Sequence, residues 1–458
     1  MTNPVERVRS RSLVRRLARP APDSLLGRLR AQLGWSRVYR AVSYLRSTLW
    51  VVPILAVLLE RLLHRVVAAL DQSVTWDLTG LGLAGAQAMF STIITLTLSF
   101  IVFTFGSLLV AIQVASGQMT PRIIATTLLR DSVIKYTVGL NVFTMLFAIS
   151  GLNRMAGTVN QLAAFLAGLL GVASLASFLF LIDYTARLLR PVRIVSLVCD
   201  EGMDVVRGVY PRLGSEGAPA SASAIGEPAR VVLHEGRSQS VLAVEIDRLV
   251  AEARRRDGIV ELVPQVGDFV ATDEPLFNLY GGAAAIDDQV LRKAVALGPE
   301  RTMEQDPMFS FRILVDIALK ALSPAINDPT TGVLALDQIH RLLRLVGKRR
   351  LHDDTIHDAE GRARVILRTP NWADFVHISC CEIRACGANN LQIARRMRAM
   401  LDNLIHTLPA SRHAALHQQR DLLDRAVREH YPFAEDLALA HIADSQGLGG
   451  AAIGGSRT

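Results

Sequence analysis

The sequence predicts a mainly α membrane protein: four transmembrane helices followed by a cytosolic α+β region with a small β-rich module. Three observations carry this. Residues Ala84 to Ala115 run without one charged side chain, well beyond the about 20 apolar residues that cross a bilayer's hydrocarbon core. Arg and Lys alternate between the loops that join the apolar runs, the pattern of a chain that crosses repeatedly. All four cysteines, Cys199, Cys380, Cys381 and Cys386, follow the last apolar run without a disulfide-scaffold spacing, as in a reducing compartment.

The spans read as about Thr48 to Leu70, Gly85 to Val114, Val133 to Leu152 and Gln161 to Ile182. Residues 1–46 hold 11 Arg but only Glu6 and Asp23 as acids, and read as a disordered cytoplasmic tail. The next loop has only Asp71 and Asp77. Then come Arg122, Arg130 and Lys135, then Arg154 alone, then Arg187, Arg190 and Arg193. The basic side is the cytoplasmic side, so both termini are expected there. An Arg- and Ala-rich composition, with 46 Arg against 4 Lys, suggests a GC-rich bacterial genome and hence the bacterial inner membrane. The net charge of +8 crowds beside apolar segments, which points to anionic lipid and topology rather than to nucleic acid.

The first span is interrupted by Glu60, Arg61, His64 and Arg65. Either the helix leaves the bilayer there, or these groups face other helices or water. The second span carries a stripe in which Thr92, Ser99, Gly106 and Gln113 lie seven apart and Thr95 fills between. That spacing puts them on one helical face. Small polar residues favour close helix packing; the functional alternative is a water-filled path repeated around a homo-oligomer. Ala164, Gly168, Gly171, Ser174 and Ser177 give the fourth span close-packing faces.

Residues 191–228 read as connector and linker, ending in the Gly/Ala/Ser/Pro run of Ser215 to Pro228. Residues 229–282 alternate like strands and resemble a barrel-sandwich module. No lysine lies between Lys135 and Lys293, which excludes a lipoyl or biotinyl attachment site there. Residues 283–446 read as mainly helical, and the end from Gly447 as disordered. Pro307 to Ala321 is an amphipathic helix with an Arg312, Asp316, Lys320 charge ladder. Ser323-Pro324 stops it, and Asp328-Pro329 caps and starts the next helix. Gln305, Asp306, Asp316, Asn327 and Asp328 are the candidates for a cytosolic ligand corner. Capping and turn chemistry explain the same residue types without a ligand.

His377, Cys381 and Cys386 give only part of a zinc set. His352, Asp353, Asp354, His357 and Asp358 lack calcium-loop spacing. No phosphate loop, zinc-protease motif or nucleophile elbow occurs, so the sequence offers no cofactor, no metal and no catalytic residue.

Three segments carry a family resemblance: LRSTLWVVP at Leu45 to Pro53, VAIQVASGQMTPR at Val110 to Arg122, and RTMEQDP…LVDIALKALSPAINDPTTG from Arg301 to Gly332. They resemble domain of unknown function 2254, a bacterial family of predicted membrane proteins. The resemblance implies the same layout of four helices plus a cytoplasmic domain. Residues Glu60 to Arg65 depart from it, since the family's first helix is more continuously apolar. Two functions are consistent with this layout. One is an oligomeric channel or transport protein for an ion or small solute, regulated by its cytosolic domain. The other is a membrane-anchored sensor or scaffold whose cytosolic domain binds a ligand or protein. The expected partners are the lipid bilayer and further copies of the chain.

Overall fold

A computed structural model describes residues 35, 39, 45, 48, 50–73, 80–118, 131–155, 159–188, 190–214, 226–351 and 354–449. Most of the basic tail, the loop with Arg122 and Arg130, most of the Ser215 to Pro228 linker, His352, Asp353 and the end from residue 450 lie outside them. The membrane part comprises α1 (Val51–Ser73), α2 (Leu83–Gln118), α3 (Ser132–Asn153) and α4 (Gln161–Leu188). Three of these, not four, are long and apolar enough to cross a membrane: Leu83–Val114, Ser132–Asn153 and Gln161–Leu188. This corrects the four-span expectation. The physical reason lies in α1, where Glu60, Arg61 and Arg65 fall mid-helix, each costing about 2.5–3.5 kcal/mol at a bilayer's centre.

Close contacts fix the register of the bundle. A Cβ at Gly151 would overlap the Phe90 ring, and one at Gly139 would overlap Val52. Leu108, Ile134, Leu181 and Leu188 cluster at the other end of α2 and α3. Phe90 with Gly151 and Leu108 with Ile134 make α2 and α3 antiparallel. Asp131 caps α3 through the Val133 and Ile134 amides, and the Tyr184 hydroxyl donates to its second oxygen at 2.6 Å.

Beyond α4, residues 191–209, which the sequence suggested were connector, form α5 (Pro191–Val209). Its face of Ile194, Val195, Val198 and Val206 belongs to the main cytosolic core. That core also holds α8 (Pro307–Ala321), α9 (Pro329–Gly347), α10 (Trp372–Gly387), α11 (Leu391–Thr407), α12 (His413–His430) and the short α13 (Ala434–Ala440). Cys199 and Cys380 are inside it, and burial pushes their thiols up to about 11 and about 12.

The β module has two sheets. Strands β1 (Arg230–Leu233), β2 (Gln239–Val244), β3 (Gly258–Leu262), β4 (Phe269–Val270), β5 (Pro275–Gly281), β6 (Val295–Gly298), β7 (Thr355–His357) and β8 (Ala363–Leu367) form them, with the short helices α6 (Ile246–Arg255) and α7 (Asp288–Lys293). One sheet has the order β1-β5-β3-β8-β7 and the other β4-β2-β6. The β7–β8 hairpin leaves the helical region and returns to the module, with β8 parallel to β3. Arg364 secures the hairpin on the Asp358 and Asp257 carboxylates.

His340 on α9 bonds Asn403 on α11 through Nε2 at 2.9 Å. Burial lowers its pKa, with Arg396 adding repulsion. The unfolded chain therefore binds the proton more readily, and stability rises with pH below the ordinary histidine range. We expect Tm to fall as pH is lowered through about 6.5 and the fall to be shallower in His340→Gln, as read by thermal melts of the full chain in detergent.

Candidate functional site

The helix interiors hold a polar layer between two apolar clusters. At one end Phe90, Ile93, Phe147, Ala148 and three alanines of α4 pack together. At the other end is the Leu108 cluster. Between them lie Thr97, Thr104, Thr137, Asn141, Thr144 and Ser174, all buried. These positions are midway along the three spans. The Ser174 hydroxyl donates to Thr144 Oγ1 at 2.9 Å, joining α3 to α4. The antiparallel register puts Thr97 at the level of Thr144, and Thr104 at that of Thr137. Phe100 stacks on Phe178 beside them, with centroids 4.2 Å apart.

Within the layer most hydrogen-bonding groups are used locally. Thr97 donates to the Ile93 carbonyl at 2.7 Å, and Asn141 Nδ2 donates to the Thr137 carbonyl at 2.9 Å. Thr104 Oγ1 and Asn141 Oδ1 have no hydrogen-bond partner among the described residues. Val52 packs on Gly139, and Val67 joins Phe147 and Ala148 in one cluster, so α1 runs parallel to α3. Glu60 is itself buried, 3.9 Å from an exposed Arg61.

The stripe expected on the second span lies elsewhere. Thr92, Thr95, Ser99, Gly106 and Gln113 are all exposed on the outer side of α2. Thr92, Thr95 and Ser99 donate to carbonyls four residues back at 2.8–2.9 Å, as hydroxyls do in apolar surroundings. The buried face is Phe90, Thr97, Thr104 and Ala111, also seven apart. It precedes the stripe by two residues, or about 200° around the helix.

The cytosolic candidates separate into two places at opposite ends of α8, whose 15 residues span about 22 Å. At its start, Asp306 caps the helix by accepting from the Phe309 amide and pairs with Arg301. Burial pushes the Asp306 carboxyl up, against the pull of Arg301. Gln305 Oε1 accepts from the Val244 amide at 3.0 Å, and Gly267 leaves no room for a Cβ beside Arg301 and Asp306. This is the joint between β module and helical core. At its end, Asn327 takes a positive φ of 50°, and Asp328 caps α9 through Thr331. Asp316 lies between the two, bonded to Arg312, which also holds Glu382. No group of three or more metal-ligating side chains occurs among the described residues. His377 Nδ1 lies 3.2 Å from Cys381 Sγ, and Cys386 is exposed.

Comparison with known proteins agrees with the membrane architecture. The model of the family described as predicted membrane protein (DUF2254) matches residues 46–403. Uncharacterised proteins of Mycobacterium bovis and of Mycobacterium tuberculosis are 28% identical over 354 residues, covering 73% of this chain and 67% of theirs. No solved structure matches. The chain belongs to the DUF2254 family of predicted membrane proteins.

The joint yields a test. Asp306→Ala removes a cap and leaves Arg301 without its carboxylate, so we expect a loss of about 2–4 kcal/mol in denaturant unfolding and easier protease cleavage near residue 300. Asp328→Ala, which removes a cap alone, should cost about 1 kcal/mol and leave that cleavage unchanged.

Proposed function

We propose that this DUF2254 member is a membrane transport protein for an ion or small solute, passing at the polar layer midway through the bundle and regulated by its cytosolic region. One observation carries the reading. Six polar side chains are buried together at mid-span, where apolar packing would hold three helices as well. Polar groups at that depth are expensive and mark solute pathways, and transporter sites lie near the bilayer midplane. Glu60, buried in the same bundle, adds the only acidic side chain among the described buried residues of α1 to α4. The outward stripe of Thr92, Thr95, Ser99 and Gly106 then serves as a packing face for a second copy, since small polar residues suit helix–helix contact better than lipid.

The N-terminal segment supports a shared side for both ends of the membrane part. Trp35 is buried against Leu242, Ala243 and Ala296 of β2 and β6, and Tyr39 stacks on it with centroids 5.2 Å apart. Residue 39 and the β module therefore meet on one face of the membrane. On this reading α1 packs within the bundle with Glu60 turned inward, on whichever side its charges leave it. That face is the cytoplasm by the Arg187, Arg190 and Arg193 cluster after α4.

Reconstitution in liposomes tests the function. We expect ion flux above that of empty liposomes, reduced at least tenfold by Asn141→Leu. Ser99→Leu should alter oligomer size on a sizing column instead. No flux from assembled wild type, over a broad set of ions and pH values, would defeat the reading. Single cysteines at 35 and 240, in a chain freed of its native four, test the topology. An impermeant maleimide should label both from the same side; opposite labelling would rule out the shared side.

A further inference from the structure

We propose that Cys381 is a reversible thiol modification site, where its sulfur exchanges with a small organic disulfide while His377 takes the thiol proton. The proposal is independent of the transport reading. It gives a use to the Cys–His pair on α10, which neither a metal nor the membrane part explains.

Cys381 and His377 stand four residues apart on α10, so their side chains meet on one helical face. Sγ lies 3.2 Å from His377 Nδ1, within the reach of about 2.6–3.2 Å at which a nucleophile hands its proton to a base. A further polar group approaches from α12. Gln419 Oε1 lies 3.8 Å from the same sulfur and accepts from Arg384 Nη1 at 3.1 Å, so one amide oxygen joins the thiol to a guanidinium. Glu382, next along α10, has its carboxylate on Arg312 of α8, which offsets its negative charge. Cys381 is itself partly exposed. Reactive cysteines occupy partly exposed sites beside basic side chains, whereas buried structural ones are inert.

The other three cysteines supply the contrast. Cys199 and Cys380 are inside the helical core. Cys386 is exposed, but makes no hydrogen bond among the described residues. It lies five residues beyond Cys381, about 140° further round the helix, and so away from His377. Exposure and an adjacent base coincide at Cys381 alone. A structural zinc is a poorer fit, since no third His, Cys, Asp or Glu joins the pair among the described residues and zinc takes about four ligands.

The exchange balances with the disulfide as the sole co-reactant. The Sγ proton passes to His377 Nδ1, and the thiolate attacks one sulfur of the disulfide. A new S–S bond forms as the old one breaks, and the departing thiolate takes the proton from the imidazolium. Cys381 is oxidised to a mixed disulfide, while half of the small disulfide is reduced to a thiol. Attack by a second small thiol reverses the step.

The rates are measured on purified, reduced full chain in detergent. Dithiodipyridine, a small neutral disulfide, is added at neutral pH, and peptide mass mapping follows each cysteine. We expect Cys381 to react at least tenfold faster than Cys386, although it is the less exposed of the two. His377→Gln keeps a polar side chain but takes no proton. It should bring Cys381 down to the rate of Cys386 or below, with the Cys386 rate and Tm unchanged. Cys386→Ala leaves Cys381 as the only thiol outside the core and should retain one fast thiol. Oxidised glutathione should then add one thiol at Cys381, and a reductant should remove it. Reaction of Cys381 no faster than that of Cys386, or only above Tm, overturns the proposal. Fast reaction that survives His377→Gln, or a loss shared by Cys386 and Tm, overturns the role of His377.

Discussion

The seating of Phe90 on Gly151 is the contact on which the membrane part depends. With no side chain at residue 151, the α3 backbone admits an aromatic ring, and α2 locks into a single register against it. Everything further along the pair follows from that offset. Thr97 meets the level of Thr144, Thr104 that of Thr137, and Leu108 joins Ile134. A one-residue slip would turn Thr97 and Thr104 by about 100° and put apolar side chains against Asn141. In lipid there is no water to correct such an error, so one glycine–aromatic contact governs whether the buried polar groups share a layer at all.

A second set of close approaches carries position from the membrane to the cytosolic core. Helix α5 begins at Pro191, close after the end of α4 at Leu188. Gly202 of α5 lies so near Ser310 of α8 that a Cβ would overlap its hydroxyl. The start of α8 in turn holds the β module through Gln305, Asp306 and Arg301. Close-packed interfaces of this kind shift between discrete arrangements rather than bending continuously. These contacts form a continuous packed path from the β module along α8 and α5 towards the end of α4.

The sequence made three spans plain, because long charge-free runs have few other physical explanations. The α8–α9 corner was equally plain, since Asp306-Pro307 and Asp328-Pro329 carry their caps in order. What it could not disclose was direction. On α2 two sets of residues recur every seven positions, and period alone does not say which set faces inward; the polar one with more members turned out to face outward. The single Asn in LNVF, amid apolar residues of α3, was the overlooked signal of the layer. Likewise β7 and β8 are short, and the pairing of β8 with β3 across about a hundred residues leaves no local trace. Helix α5 was hidden by its position after the last span, where Arg190 and Pro191 resembled an ordinary exit.

The docking of Trp35 has a consequence for biosynthesis. Its apolar cover, Leu242, Ala243 and Ala296, is encoded roughly two hundred or more residues later. At about 5–20 residues per second, the ribosome takes on the order of ten seconds or more to supply that surface. Throughout this interval the indole lacks the apolar cover of the β module, while the first hydrophobic segments are already leaving the tunnel. Trp35 can therefore dock only once translation has passed Ala296, well beyond the midpoint of the chain.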